Sequence, residues 1–222
     1  MGFWVVAVVV VLLVAAALYL SHQAHKKKVA EFTAYANRRG WQYAERDDAL
    51  VERFDGQPFG TGHGRRAHHV LRGRHRDRDA LAFEYVYKET TGSGDDRKTE
   101  TYYFTVVALS TPAFRPKLEI TREGLGRKLL GFVGIRDLQL ESEEFNRTFF
   151  IKAEDDKFAY DILHPRMMEW MLGDERARNM PFRFERSHLV TWDSGRIHLS
   201  TVEHLLEYVC DVMDRTPSFV WK

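Results

Sequence analysis

The first twenty residues constrain this chain more than any other stretch of its sequence. From Gly2 to Leu20 there is no charged side chain, and valine, leucine and alanine make up most of the run. A run of this length, at about 1.5 Å per residue, forms a helix of roughly 28 Å, close to the ~30 Å hydrocarbon core of a bilayer. The sequence therefore predicts a transmembrane helix over residues 1–21, with residues 2–20 in contact with lipid.

A cleavable signal peptide and a buried core helix are the two alternatives to a membrane span. Signal peptides carry Lys or Arg before their apolar core, and no such residue precedes Phe3. The small residues Ala15–Ala17 could form a cleavage site, but the apolar run is longer than that of most signal peptides. An uncharged run of this length also disfavours the core helix of a soluble protein, so the sequence favours a span.

Basic residues flank the apolar run on one side. Lys26, Lys27 and Lys28 follow it closely, and Arg38 and Arg39 come soon after. Cytoplasmic flanks of membrane helices carry an excess of Lys and Arg. The sequence therefore predicts a single-pass protein of the cell membrane, with its N-terminus outside and residues 21–222 in the cytoplasm.

The remaining residues have the composition of a folded domain. Charged residues make up 29% of the chain and aromatic residues 13%, which is ordinary for a globular protein. The formal net charge is +1, whereas dedicated nucleic-acid binders are usually strongly basic. Cys210 is the single cysteine, so neither an intrachain disulfide nor a cysteine-rich zinc site can form. We expect no nucleic-acid partner, and a helical arm over residues 22–40 followed by a soluble domain over residues 41–222.

Hydrophobic periodicity predicts an α+β fold, with a mainly antiparallel sheet covered by two helices from the C-terminal half. Leu81, Phe83, Tyr85 and Tyr87 alternate with polar or smaller residues, as in a strand with one buried face. Leu50, Val51 and Phe54 are expected to anchor an irregular segment. Further strands are predicted over residues 67–73, 102–109 (ended by Pro112 and Pro116), 118–121, 138–140, 147–152 and 196–198, with a hairpin over 182–185 and 189–192. Helices are predicted over residues 158–172, divided before Pro165, and over 202–214 after an N-cap at Ser200 or Thr201, while residues 123–135 are expected to form a loop that closes over the sheet.

The densest basic stretch of the domain lies in the region of the first strands. Its arginines are the candidate contacts with anionic lipid or phosphate: Arg65, Arg66, Arg72, Arg74, Arg76 and Arg78. Because the last four alternate, they would share one face of a hairpin, where each basic residue near an anionic leaflet contributes about 1 kcal/mol. The alternative is a solvated hairpin face whose charge is balanced by Asp77 and Asp79.

No pattern of residues points to catalysis. Phe59–Arg66 is rich in glycine and arginine, as in a phosphate loop, but the sequence after it alternates like a strand and not like a helix. Glu141 and Glu143 would share a strand face, but paired surface carboxylates are common. The histidines have no metal-ligand spacing, and Cys210 lies on the apolar face of the last helix. We therefore expect no catalytic residues, no metal site and no cofactor.

One region is similar to a known family. Residues 141–151, Asp155, Asp156, Leu163 and the stretch Pro165–Glu169 form a pattern that is expected to be a carboxylate-rich strand with "FN…F", an acidic turn and a helix with "L-x-P-x-x-M-E". This pattern, together with Arg39–Tyr43 and Pro58–Gly60, resembles an uncharacterised bacterial family, of actinobacterial type, whose members are membrane-anchored and carry a domain of unknown function. The resemblance implies a tethered domain and assigns no reaction or cofactor.

The sequence as a whole predicts a membrane-anchored protein whose cytoplasmic domain is a non-enzymatic binding or scaffold domain close to the inner leaflet. Its candidate partners are anionic lipid and another membrane protein. An enzyme or a small-ligand sensor is the alternative, with a pocket assembled from residues that are distant in the sequence.

Overall fold

The structure is a computed structural model that describes residues 2–123 and 136–222. Its first element, α1, is a single uninterrupted helix of 38 residues, Gly2–Arg39. Within the described residues, α1 is the one helix that is long and apolar enough to cross a membrane, and its most apolar window is not buried against the rest of the chain. Gly40, with φ of +66°, ends it, because glycine readily adopts this left-handed conformation.

An antiparallel sheet follows α1. Along the main path its strands lie in the order β1, β2, β3, β4, β6, β5, and β7 also pairs with β4. The strands are β1 (Gln42–Arg46), β2 (His63–His75), β3 (Arg78–Thr91), β4 (Lys98–Arg122), β5 (Arg136–Asp137), β6 (Phe149–Ala153) and β7 (Phe182–Ser194). The helices after α1 are α2 (Glu143–Thr148), α3 (Asp156–Ile162), α4 (Pro165–Gly173), α5 (Glu175–Asn179) and α6 (Leu199–Arg215). The predicted α+β class is confirmed.

The two faces of the sheet support two hydrophobic cores. On the first face, α6 and the second half of α1 pack against strand residues such as Leu109 and Ile120. On the second face, the segment between β1 and β2 covers the sheet through Leu50, Phe54 and Phe59. The alternation predicted for β3 is confirmed, because Leu81, Phe83, Tyr85 and Tyr87 all belong to the second core. Both faces are therefore covered, and the helical face carries the arm of α1 in addition to helices of the C-terminal half.

The prediction that Pro112 and Pro116 end a strand is wrong, because β4 continues past both to Arg122. Pairing with β7 jumps from Ser110 to Arg115 on β4 while it advances only from His188 to Arg186 on β7. A second shift lies between Arg115 and Leu118. Extra residues in one strand form bulges, which tolerate proline because ladder hydrogen bonds are interrupted there. The two prolines therefore lie within the irregular part of β4 and do not terminate it.

Several other sequence predictions are corrected by the structure. Residues 182–194 form one strand, which passes through Arg186 at φ of +56°, and not a hairpin. Residues 138–140 and 196–198 are irregular, and residues 143–148 are helical because Ser142 caps α2. The N-cap of α6 is His198. The helix predicted over 158–172 is confirmed as α3 and α4, divided before Pro165. The loop predicted to close over the sheet lies almost wholly at 124–135, outside the described residues.

Candidate functional site

The second half of α1 is built into the domain. Phe32, Tyr35 and Ala36 are at most 4% exposed and belong to the first core. At the end of the helix, Arg39 Nη2 donates to Glu203 Oε1 of α6 at 2.8 Å. Because α1 has no break between Gly2 and Arg39, the apolar run and the domain are joined without a flexible linker.

The chain reverses direction at Gly40, so β1 runs back along α1. Successive residues after this turn contact earlier turns of the helix: Trp41 packs on Tyr35, Tyr43 on Phe32, and Glu45 bonds to His25. Arg46 pairs with His68 of β2, and Gln42 pairs with Arg72. The start of β2 therefore lies at the end of the domain nearer the apolar run, which we call the anchor side. The hairpin between β2 and β3 lies at the opposite end, the far side.

Because β1 runs back along α1 and β2 runs antiparallel to β1, the six candidate arginines lie at two ends of the domain. Arg65 and Arg66 lie on the anchor side, whereas Arg72, Arg74, Arg76 and Arg78 lie on the far side, near the level of Arg39. From Leu20 to Arg39 the helix rises about 28 Å, since 19 residues rise ~1.5 Å each. Arg65 pairs with Glu52 at 3.0 Å, and Arg66 is exposed. The pair on the anchor side is therefore the one that lies nearer the apolar run.

The four arginines of the far side do not share one face. His75 pairs with Arg78 across a two-residue turn, in which Arg76 and Asp77 have φ of 45° and 63°. Opposite residues of an antiparallel pair point to the same face, so Arg78 points to the same face as His75. Arg74 precedes His75 in the strand and therefore points to the other face. Arg76 and Arg78 face α6, where they pair with Glu207, Asp211 and Asp214. Arg72 pairs with Asp47, and Arg74 Nε lies 3.8 Å from Asp79 Oδ1.

Arg72 and Arg74 line a groove of about 400 Å³ on the second face of the sheet. We call this the basic groove; its other charged or titratable side chains are Arg53, Asp79 and His188. Arg53 Nη2 lies 2.9 Å from His188 Nε2. Burial, and then the charges of Arg53 and Arg186, lower the pKa of His188 to about 4. The imidazole is therefore neutral at pH 7, and Nε2 accepts the hydrogen bond from Arg53.

A second cavity, the aromatic cleft, lies toward the other end of the same face. It has a volume of about 360 Å³ and its walls include Tyr87, Phe104 and Trp192, with Pro58 and Pro181. The rings of Tyr87 and Phe104 are nearly parallel, with centroids 5.8 Å apart. Cavities of this size with mostly apolar walls are typical of small-ligand sites.

A buried arginine lies behind the aromatic cleft. The side chain of Arg183 is fully buried against the rings of Phe59 and Trp192, whose centroids lie 5.5 and 5.0 Å from its Cζ. Its Nη1 donates to Glu119 Oε2 at 3.0 Å, and its Nε lies 3.0 Å from Glu185 Oε2. Burial raises the pKa of Glu185 against the opposing effect of Arg183. This ion cluster fixes the covering segment, because Arg183 also donates to Gln57 O and Glu185 accepts from Asp55 N.

The other residues considered from the sequence take structural positions. Among residues 2–123 and 136–222, no three His, Cys, Asp or Glu side chains are grouped so that they could hold a metal ion. Cys210 is buried, and burial raises the pKa of its thiol, as expected for a core residue. Glu143 opens α2 and Glu141 precedes it, so the two do not share a strand face. The glycine-rich segment leads into β2, as its alternation predicted, and not into a helix.

Sequence reasoning missed Arg53, His188 and Arg183. Arg53 and His188 are 135 positions apart, and they meet only because the segment before β2 folds over β7. Arg183 and Glu185 alternate with Phe182 and Phe184, which is the pattern of a strand with one solvated face. The covering segment removes that face from solvent, and the only signal in the sequence was an Arg-x-Glu pair within an aromatic strand.

Comparisons with known proteins show the fold and no family. No family model matches the chain, and no curated protein matches it. Among solved structures, the crystal structure of the mycobacterial trehalose monomycolate transport factor A, TtfA, is similar, with a TM-score of 0.57 and 14% sequence identity. The alignment covers 84% of this chain and 94% of that one. At this identity the likeness establishes a common fold, and the resemblance drawn from the sequence motifs stays a prediction.

Proposed function

We propose that this chain is a membrane-anchored, non-enzymatic accessory protein that holds a rigid binding domain beside the bilayer. The observation that carries the proposal is α1, which continues from the apolar run into the hydrophobic core without interruption. A tether of flexible residues would let a domain explore many orientations. A continuous helix instead presents one end of the domain to the membrane surface.

The structural likeness supports an accessory role in a membrane process. TtfA is a transport factor by name, and this chain has the same fold. We extend to this chain only the role of an accessory factor. We propose that its partner is another membrane component, either a protein or anionic lipid.

We further propose that residues 21–222 are cytoplasmic, because Lys26, Lys27 and the arginines at the end of α1 follow the apolar run. A reporter that is active only outside the cytoplasm, fused after Lys222, should then be inactive. An active reporter at this position would overturn the orientation.

The anchor-side pair Arg65 and Arg66 is the better candidate for lipid contact, because the far-side arginines stand about 28 Å along the helix axis from Leu20. A photo-crosslinking residue at position 66 of the full chain, in its native membrane, tests this. We expect crosslinks to lipid or membrane proteins from position 66, and no lipid crosslinks from position 74. Equal lipid crosslinking from both positions would contradict the proposed geometry.

Rigid coupling has its own test. A flexible Gly/Ser insertion between Ser21 and His22 should lower crosslinking from position 66 several-fold while the melting temperature of the domain stays unchanged, since neither residue packs on the domain. A matched insertion of seven alanine-rich residues adds two helical turns, about 10 Å, and keeps the domain on nearly the same side of the helix. If the flexible insertion left crosslinking unchanged, rigid presentation would not be required.

A small-ligand sensor is the second candidate, favoured by the aromatic cleft. The buried hydroxyl Oγ1 of Thr121, which lines this cleft, has no hydrogen-bond partner among the described residues. An apolar fluorescent dye should bind in the aromatic cleft, and Phe104→Ala should weaken its binding. The matched control is Phe114→Ala, since Phe114 is 67% exposed and does not line the cleft. Equal dye binding by both variants would remove this candidate.

A further inference from the structure

We propose that the basic groove binds a small molecule that carries a diphosphate or a phosphate ester. The groove lies on the far side of the domain, on the face of the sheet opposite α6. Its two walls are Arg53, from the segment before β2, and Arg72 with Arg74, from β2 itself. This inference goes beyond the proposed accessory role and does not depend on it.

The charge of the groove is not balanced by its own carboxylates. Arg72 and Arg74 are accompanied by Asp47 and Asp79, and the contact of Arg74 with Asp79 is long, at 3.8 Å. Within the part of the chain that the structure describes, Arg53 makes no ion pair with a carboxylate. Its side-chain partner is His188, which is neutral at pH 7. Three arginines therefore face two aspartates, and one positive charge remains for a bound anion.

The floor of the groove leaves room for such an anion. It includes Leu81 of β3 and the small residues Ala108 and Ser110 of β4, which do not fill the space between the walls. The hydroxyl of Ser110 can also donate a hydrogen bond to a phosphate oxygen. Arginine binds phosphate through a planar fork of two N–H groups, with more geometric specificity than lysine. The groove thus combines an excess of charge, suitable donors and space.

The width of the groove indicates the size of the ligand. Arg53 is held at His188 of β7. β3 and β4 lie between β2 and β7, and neighbouring strands are about 4.8 Å apart, so the backbones of β2 and β7 are separated by roughly 14 Å. Inorganic phosphate has a single phosphoryl group to share between the two walls. A diphosphate, or a phosphate ester of similar length, can contact both walls at once. We therefore expect pyrophosphate to bind more tightly than phosphate.

The position of the groove bears on the source of the phosphate. The bilayer of the chain's own anchor is about 28 Å away along α1, beyond several Debye lengths at physiological ionic strength. A soluble compound can enter freely, whereas a lipid headgroup would have to come from a second membrane. We assign the ligand to the soluble class.

The experiment uses the full chain in nanodiscs of zwitterionic lipid, titrated with inorganic pyrophosphate by calorimetry at low ionic strength. Saturable binding is expected, weakened at least tenfold by R53Q. This variant is informative because it removes the unpaired charge and breaks no ion pair. The matched control is R166Q, at an exposed arginine of α4 outside the groove, which should bind like the unmodified chain.

Three results would overturn the proposal. They are the absence of saturable binding, equal affinity in the R53Q variant, and an equal loss in R166Q, which would indicate non-specific attraction. A second arm adds vesicles of phosphatidylglycerol in trans. Vesicle capture that requires Arg53, without any pyrophosphate binding, would replace the soluble ligand by a lipid headgroup. R72Q combined with R74Q should also weaken pyrophosphate binding at least tenfold, provided that its melting temperature matches that of the unmodified chain.

Discussion

Lys28 Nζ of α1 lies 3.9 Å from Glu84 Oε2 of β3. Lys28 belongs to the basic cluster after the apolar run, and Glu84 is buried within the sheet, where it also accepts the backbone N–H of Ile197 at 2.9 Å. Burial lowers the pKa of Lys28 against the opposing effect of Glu84. One lysine of this basic cluster therefore belongs to the folded domain, and it fixes α1 against the sheet.

This pairing predicts unequal roles for neighbouring lysines. Lys28→Met removes the cation beside a buried carboxylate and should destabilise the domain by about 1–2 kcal/mol. Lys27→Met is the matched control, since Lys27 is exposed, and should change stability by less than about 0.5 kcal/mol. Thermal unfolding of the full chain in nanodiscs, followed by near-ultraviolet circular dichroism, measures both. Equal melting temperatures for the two variants would show that the Lys28–Glu84 pair does not hold α1.

His69 predicts a loss of stability in mild acid. It is 6% exposed, and its Nδ1 lies 2.9 Å from the hydroxyl of Tyr43. Burial, and then the charge of Lys28, lower its pKa to about 4, with smaller effects from Glu84, His68 and His25. A folded-state pKa below the unfolded value of about 6.5 means that the unfolded chain binds the proton first. The stability contribution is therefore complete above pH 6.5 and is lost as the pH falls toward 4.

The size of this effect can be measured by denaturant unfolding at pH 7 and pH 5. A single histidine with these two pKa values should cost roughly 2 kcal/mol at pH 5. His69→Asn should flatten the pH dependence by about this amount, whatever its effect at pH 7. Gln42→Asn, at an exposed position of β1, introduces and removes no titratable group and should leave the pH dependence unchanged. An unchanged slope in His69→Asn would place the folded-state pKa of His69 near its ordinary value.

The buried cluster at Arg183 predicts a large mutational effect. Arg183→Met would leave Glu119 and Glu185 buried without their cation, which should cost about 3–5 kcal/mol. Arg186→Met breaks only the pair with Asp55, and both partners are more than half exposed, so it should cost less than about 1 kcal/mol. Denaturant unfolding of both variants measures the difference. A cost below 1 kcal/mol for Arg183→Met would mean that the two carboxylates are protonated or solvated once the arginine is gone.

Local patterns predicted much of the fold. The alternation of β3, the division before Pro165 and the amphipathic face of α6 are all periodic signals, and each is confirmed. The continuation of β4 past two prolines was not predictable in this way, because it depends on bulges opposite β7. The pattern of alternating arginines was misleading, because a two-residue turn reverses the face after Arg74.

The candidate sites were less predictable than the fold. Arg72 and Arg74 were identified from charge density alone, but their groove also requires Arg53 and His188 from two distant segments. The aromatic cleft likewise combines residues of three strands with Pro58 and Pro181. Such sites depend on which segment covers the second face of the sheet, and periodicity carries no information about that choice.

The continuity of α1 is the central claim, and a distance measurement across it is the most direct test. Spin labels at Ala17 and Asn37, both exposed, bracket the junction between the apolar run and the domain. With Cys210 replaced by alanine, pulsed electron paramagnetic resonance in nanodiscs should give one narrow distance distribution near 30 Å, since twenty residues rise ~1.5 Å each. A broad or multimodal distribution would show a hinge between anchor and domain, and it would contradict the rigid presentation proposed here.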